Sequence, residues 1–268
     1  MPNGLWIYTA IFGFCFNAGI SVAVDLKKVV FAGSSTILPL IEDSKDLLKE
    51  RGFKVQIQGG GSGVGIRSAE SEMADIGMVS RDLNPDEIKT LKSKTIAMEP
   101  VAIIVHKQNQ LSDISSKTVS QIYSGALKQW ANGQKIHGIG KESGRATRKV
   151  FLKQFNLSSR TLDKSLTIIG ANGQAISSVS SDPGAIAYVS VGAAKKAMSQ
   201  GVGIKILKLN GVEASTENVV SGQYPFSRKL NLVFKQSKEV SATQLLGFVD
   251  TREFKDILGK YHMIPVKP

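Results

Sequence analysis

Gln58 to Arg67 reads Gln-Gly-Gly-Gly-Ser-Gly-Val-Gly-Ile-Arg, and that run limits what the surrounding chain can become. Each glycine held in a strand or helix interior costs backbone entropy, so the run is expected to turn sharply and expose backbone N–H groups. Beyond it, Val64, Ile66, Ala69, Glu70 and Met73 set an apolar stripe at helical spacing beside charge. Ser62 is the expected N-cap of that helix. A glycine loop feeding a helix N-terminus suits an anion, because free N–H groups converge there and the dipole favours negative charge. The alternative is a tight loop that binds nothing. No Gly-Lys-Ser/Thr follows, so the run is not a Walker loop. Its glycines stand too close together for a dinucleotide fingerprint, and the basic Arg81 sits where a ribose-binding acid would be sought.

A chain of 268 residues can bury a full core and form two modest domains. Lys and Arg number 34 against 22 Asp and Glu, a net charge of +12. That sign points to an anionic partner: nucleic acid, a membrane surface or a small oxyanion. Aromatic residues make up 7% of the chain, thin for a base-stacking surface, which argues against nucleic acid. The single Cys15 excludes an internal disulfide, and His106, His137 and His262 lack metal-ligand spacing. No metal or cofactor is expected.

Leu5 to Val24 is almost wholly apolar, and Ser21-Val-Ala23 offers small residues for cleavage after Ala23. Residues 1–23 are therefore expected to be a signal peptide or a membrane anchor, although no Lys or Arg precedes the apolar run. Downstream, short apolar runs alternate with helical patterns. Strands are expected at 29–32, 55–58, 75–79 and 101–105, then at 136–139, 166–169, 185–189, 204–207 and 230–234, with a last one at 261–266. Helices are expected from Ile37 through Leu48, near 85–91, 118–127 and 244–258, and after the turn Lys141-Glu-Ser-Gly-Arg-Ala-Thr-Arg148. In that turn Ser143 or Gly144 is the expected cap, which puts Arg145 and Arg148 in the first helical turn. Cations are unfavourable there unless an anion sits between them and the dipole. Strands alternating with helices imply parallel α/β sheets. Two similar blocks without a low-complexity linker imply two lobes joined by crossing strands.

Six stretches carry a resemblance. Gly33-Ser-Ser-Thr-Ile-Leu-Pro-Leu40, Gly59-Gly-Gly-Ser-Gly-Val-Gly65, Asp75-Ile-Gly-Met-Val-Ser-Arg81, Thr147-Arg-Lys-Val-Phe151, Asp182-Pro-Gly-Ala-Ile-Ala-Tyr-Val189 and Tyr224-Pro-Phe-Ser-Arg228 stand in this order. Together they resemble the substrate-binding proteins of high-affinity phosphate ABC transporters. The resemblance implies an α/β, two-lobed, periplasmic-binding-protein-like clamp, each lobe a mostly parallel sheet flanked by helices. Lobe I would be residues 24–103 plus 223–268, and lobe II residues 104–222. Inorganic phosphate would be held in the cleft and passed to ABC permease subunits by a monomeric, non-enzymatic protein. It would work in the periplasm or on the outer face of the cytoplasmic membrane, touching membrane only through its N-terminal segment or the permease. Ser35, Thr36, Ser62, Gly63, Ser80 and Arg81 would line the first lobe; Arg145, Ala146 and Thr147 would come from the second. The chain departs from the family's Gly-Ser-Gly-Thr-Arg turn: Arg145 replaces the serine and Ala146 the second glycine, which makes Arg145 an expected charged ligand. Arg81 also stands where some relatives carry an aspartate that accepts the phosphate proton, leaving Asp82 and Glu142 as possible substitutes.

Two rival readings remain. A phosphoester hydrolase could use Ser35 or Ser62 as nucleophile with His106 or His137 as base, though no acid–His–Ser constellation is visible. A surface interaction protein on the same fold could bind polyanions through its basic faces.

Overall fold

A computed structural model describes residues 26–266, so the apolar stretch 5–24, Cys15 and the proposed cleavage after Ala23 lie outside the described residues. The first part of the chain forms β1 (Lys27–Gly33), α1 (Leu38–Asp43), α2 (Lys45–Glu50), β2 (Phe53–Gln58), α3 (Ser62–Glu70), β3 (Ile76–Val79) and α4 (Pro85–Thr90). β4 (Leu91–His106) then runs for 16 residues. The middle forms β5 (Asp113–Ile114), α5 (Ser116–Tyr123), β6 (His137–Lys141), α6 (Ala146–Gln154), β7 (Thr167–Ile169), α7 (Asn172–Ser181), β8 (Ala185–Ser190), α8 (Val191–Ser199), β9 (Ile204–Leu209) and α9 (Thr216–Val220). β10 (Ser227–Lys235), α10 (Glu239–Leu246), α11 (Arg252–Lys260) and β11 (Ile264–Pro265) close it.

β4 organises the molecule. Its first half pairs antiparallel with β10 and β11, its second half with β8 and β9. Val101 to Val105 are completely buried, as a continuous apolar run requires of a strand covered on both faces. A small hydrophobic cluster of Ile66, Ala69, Val79, Leu91 and Val233 lies under α3, and the two larger clusters divide along this strand. One cluster holds Phe31, Ile41, Ile76 and Ala97 with Leu230, Phe248 and Phe254. The other holds Val101 to Val105, Tyr123, Phe151, Tyr188 and Phe226. β4 passes from one core to the other after Ala97, and β10 returns past Phe226, so the crossing region lies beside Glu99 and Arg228.

The fold is mixed α/β. Strands away from the crossing pair parallel, β1 with β2 and β3, and β6 with β7 and β8. Antiparallel pairing is concentrated on β4 and β10 because β10 retraces the path of β4 in the opposite direction.

Several local expectations change. α3 contains Ser62 to Gly65, so the second half of the glycine run is helical, and its N-cap is Gly61 at φ 90° rather than Ser62. Met73, counted in the apolar stripe, is 71% exposed, because the helix has ended before it. The helix expected from Ile37 through Leu48 is two, broken at Ser44, whose hydroxyl bonds back to the Leu40 carbonyl at 2.7 Å. The helix expected over 244–258 is also two, and α11 restarts on the Thr251 cap.

Candidate functional site

The turns after β1 and β3 and the start of α3 meet because three glycines let backbone touch backbone. A Cβ on Gly33 would lie 2.4 Å from the Met78 carbonyl and 2.7 Å from Gly65 Cα. One on Gly65 would lie 2.5 Å from that same carbonyl, and one on Gly77 2.4 Å from the Gly65 carbonyl. No side chain fits in these gaps. The run's N–H groups are less free than its composition suggests: Gly61 donates to Gly33 at 2.8 Å and Gly63 to Gly144 at 3.0 Å. Part of the glycine requirement is therefore close packing, not ligand approach.

That packing presses three buried serines together. Ser34 donates to Ser80 Oγ at 2.9 Å, Ser80 N–H donates to Ser62 Oγ at 2.9 Å, and the Ser62 and Ser80 hydroxyls lie 3.3 Å apart. Ser34 Oγ also accepts the Thr36 N–H at 3.2 Å. With the Ser34 proton committed to Ser80 and one proton shared between Ser62 and Ser80, one hydroxyl proton remains to serve a ligand.

Beside this cluster Arg228 spans the crossing region. Its Nε and Nη2 donate to Glu99 Oε2 at 3.1 and 2.8 Å, Nη1 to Thr147 Oγ1 at 2.7 Å, and Nη2 to Thr36 Oγ1 at 2.8 Å. Ser190 donates to the other oxygen of Glu99, and the Asn172 amide lies 3.4 Å from Thr36 Oγ1. Glu99 is 0% and Arg228 4% exposed, so the two charges cancel inside the protein. Another buried cation has no carboxylate in ion-pair reach among the described residues. Lys141, 2% exposed, donates from Nζ to the Ala171 carbonyl at 2.8 Å. Burial, helped by the neighbouring Arg145 and Arg228 charges and opposed by Glu142, brings its ammonium down to about 7 from the ordinary 10.5.

The residues singled out from sequence fall into a buried set and the linings of two cavities, with Thr36 and Arg81 both buried and lining. Ser62, Ser80, Ala146, Thr147 and Thr36 are buried. Ser35 and Thr36 line a cavity of about 180 Å³ together with Asn172, Ser190, Lys196 and Tyr261. Gly63, Arg81 and Arg145 line another of about 240 Å³, with Arg148 and Lys149 beside them. Arg81 is held in a fork by Glu87, both bonds 2.7 Å, and Glu87 in turn closes the capping box of α4 with Asn84. Arg145 is the N-cap of α6, with an extended backbone rather than a place in the first turn. Its guanidinium bonds Glu142 at 3.1 and 3.2 Å, and its stem packs across Gly61. Of the two possible proton acceptors, Glu142 is thus engaged by Arg145, and Asp82 is largely exposed and lies 3.5 Å from Lys229.

Ser34, Glu99, Lys141, Asn172, Ser190 and Arg228 were not read as site residues from the sequence. Arg228 ended one of the six matching stretches, and Lys141 opened the Arg145 turn, so both were within sight. Their burial was not.

Two α/β units sharing long crossing strands, with a hydroxyl-lined junction between their cores, define a periplasmic-binding-protein-like clamp. The chain belongs to the PBP superfamily, whose domain matches residues 21–251. Phosphate-binding protein PstS of Borreliella burgdorferi is 25% identical over 91% of this chain and 92% of its own length. Phosphate-binding protein PstS 2 of Streptococcus agalactiae is 40% identical over 41% of this chain, a stretch that spans 38% of that protein. A Clostridium perfringens crystal structure with bound phosphate, of a candidate phosphate ABC transporter substrate-binding protein, superposes with a TM-score of 0.81 at 28% identity. It covers 90% of this chain and 100% of that one.

Proposed function

We propose that this chain is the phosphate receptor of an ABC importer. It takes inorganic phosphate into the junction between lobe I (24–103 plus 223–268) and lobe II (104–222) and presents it, as a monomer outside the cytoplasmic membrane, to the permease subunits. Among the described residues no helix is long and apolar enough to cross a membrane. The observation that carries the reading is the buried donor set itself. Thr36 from one core and Thr147 from the other both bond Arg228, whose charge Glu99 neutralises, the Ser62–Ser80 pair adjoins Thr36 through Ser34, and Lys141 has no carboxylate in ion-pair reach among the described residues. A dehydrated dianion needs many donors and a small net positive charge, and charge-assisted hydrogen bonds contribute roughly 1.5–3 kcal/mol each. Relatives named as phosphate-binding support the choice of anion.

A hydrolase reading has less support. His106 Nδ1 is occupied by the Gln108 N–H at 3.2 Å, and His137 is paired with Asp182 at 2.6 Å. Neither histidine is bonded to Ser34, Ser35, Ser62 or Ser80.

Calorimetric titration tests the proposal. One saturable site for phosphate at micromolar affinity or tighter, about −8 kcal/mol, is expected, with arsenate competing for it. No heat and no competition at millimolar phosphate would contradict it.

Two further results are expected. Lys141 has a folded pKa well below its unfolded one, so between about pH 7 and 10.5 the unfolded chain holds the extra proton and stability rises with pH. A bound dianion recruits the protonated ammonium, so phosphate affinity moves the other way. It should fall by up to about tenfold per pH unit above about pH 8, where the ligand no longer changes charge. Lys141→Met should flatten that slope in a pH series of titrations. Arg145→Ala should weaken phosphate by about tenfold or less, about 1 kcal/mol, because Glu142 already offsets the guanidinium. A loss of a thousandfold would instead make Arg145 a direct ligand.

A further inference from the structure

Arg228 is oriented in a way that its pairing with Glu99 does not require. Nη1 and Nη2 each donate to a threonine oxygen, Thr147 Oγ1 at 2.7 Å and Thr36 Oγ1 at 2.8 Å. A guanidinium has no acceptor, so both threonine oxygens must be receiving there, and each hydroxyl proton is turned elsewhere. Thr36 follows β1 on one core, and Thr147 opens α6 against the other. The Asn172 amide adds a second donor to Thr36 Oγ1 at 3.4 Å, leaving that residue its own proton as its remaining polar function.

We propose that Arg228 is a positioning residue for the anion: it orients Thr36 and Thr147, one from each lobe, as donors toward a single oxyanion, while Glu99 cancels its charge. The inference rests on the phosphate reading above and deepens it. A freely rotating hydroxyl can donate to an anion or accept a proton from it. Arg228 and Asn172 fill both acceptor positions of Thr36, and Arg228 fills one of the two on Thr147, so the pair is biased toward donating and the site favours the oxyanion's unprotonated oxygens. The dianion of phosphate is thereby preferred to the monoanion, and sulfate, which carries no proton, is not turned away by these two groups. The charged groups facing Arg228 are Glu99 on β4 and Lys141 on β6, and Lys141 in turn lies near Glu142 and Arg145 at the cap of α6. Lys141 also responds to pH, so the comparison must be made between variants that all retain it.

The experiment titrates phosphate into four proteins on either side of the ligand's second proton dissociation, and records a melting curve for each. They are the wild type, Glu99→Gln/Arg228→Met, Thr36→Val/Thr147→Val and the fourfold combination. Glu99→Gln keeps an acceptor for Ser190, and Arg228→Met keeps the stem without a donor. Each double variant is expected to lose roughly ten- to a hundredfold in affinity. The fourfold variant should bind within about threefold of the threonine pair, because Arg228 acts through those hydroxyls. The preference for dianion over monoanion should also shrink in Glu99→Gln/Arg228→Met relative to wild type. Losses that multiply in the fourfold variant, or wild-type affinity and pH preference without Arg228, would overturn the inference. If Glu99→Gln/Arg228→Met shows no cooperative melt, Arg228→Lys takes its place. That variant keeps the charge opposite Glu99 without the planar fork, and about a tenfold loss at an unchanged melting temperature is expected, whereas unchanged affinity would overturn the inference. A wild type that binds no phosphate fails the underlying reading, whereas a binding wild type with uncoupled variants fails only the inference.

Discussion

Gly65→Ala is expected to destabilise the protein by about 3 kcal/mol and to abolish phosphate binding with it. In an exposed helix the same change would stabilise by about 1 kcal/mol, since alanine is the better helix former. Here the new methyl would sit 2.5 Å from the Met78 carbonyl and 3.0 Å from the Ala32 carbonyl, both main-chain atoms of strands inside a sheet. Neither can give way, so α3 must lift off β1 and β3. Ser62 is the first residue of that helix and moves with it, away from Ser80. Urea denaturation and phosphate titration of the purified variant read the two effects together. A protein as stable as wild type with normal affinity would show that the close approach of α3 to the sheet is not what builds the serine cluster.

The second large effect lies in the crossing region. Arg228→Ala leaves Glu99, with no exposed surface, as an uncompensated buried charge, and should cost about 3–5 kcal/mol of stability. Glu99→Ala strands Arg228 in the same way and should cost a similar amount. Removing both charges together with shape-matched groups should cost much less, within about 1 kcal/mol of wild type, because the desolvation penalty disappears along with the attraction. Thermal and chemical denaturation of the two single variants and the pair would show this as strong non-additivity. Additive losses would mean that the pair is solvated and that the crossing region is looser than its burial implies.

Sequence patterning reached the fully buried apolar strands, because they leave a plain record: Val101 to Val105 carries no polar residue, and Ala185 to Val189 is nearly as apolar; the mixed first part of β4, residues 91–100, and the short β5 left no such record and were not expected as strands. α7 left almost none. Asn172-Gly-Gln-Ala-Ile-Ser-Ser-Val-Ser-Ser181 is dominated by residues that favour turns and caps. The segment becomes helical by packing Ala175, Ile176 and Val179 into the core. Antiparallel pairing at the crossing was equally hidden, since it depends on a strand returning from far along the chain.

In a linear reading the candidate site's hydroxyls stand out, whereas the pairing of its cations does not. Ser62, Ser80, Thr36 and Thr147 stand in recognisable turns, and the fold gathers them. Arg81 and Arg145 looked like free positive charges because their partners, Glu87 and Glu142, gave no sign of pairing in a linear reading. Arg228 was hidden for a different reason. Its partner Glu99 is 129 residues away, and only the crossing of β4 with β10 brings them together. Lys141 was overlooked for a related reason: a lysine at the end of a short strand reads as solvent-facing until the surrounding loops are seen to cover it.

A crystal structure of the protein grown with phosphate tests the central claim most directly. The account predicts one anion at the junction of the two cores, within hydrogen-bond distance of the Ser62 or Ser80 hydroxyl, of Thr36 and Thr147, and of Lys141 Nζ. An anion held instead in the outer cavity between Arg81, Arg148 and Lys149, with the serine cluster and the Arg228 bonds unchanged, would contradict it.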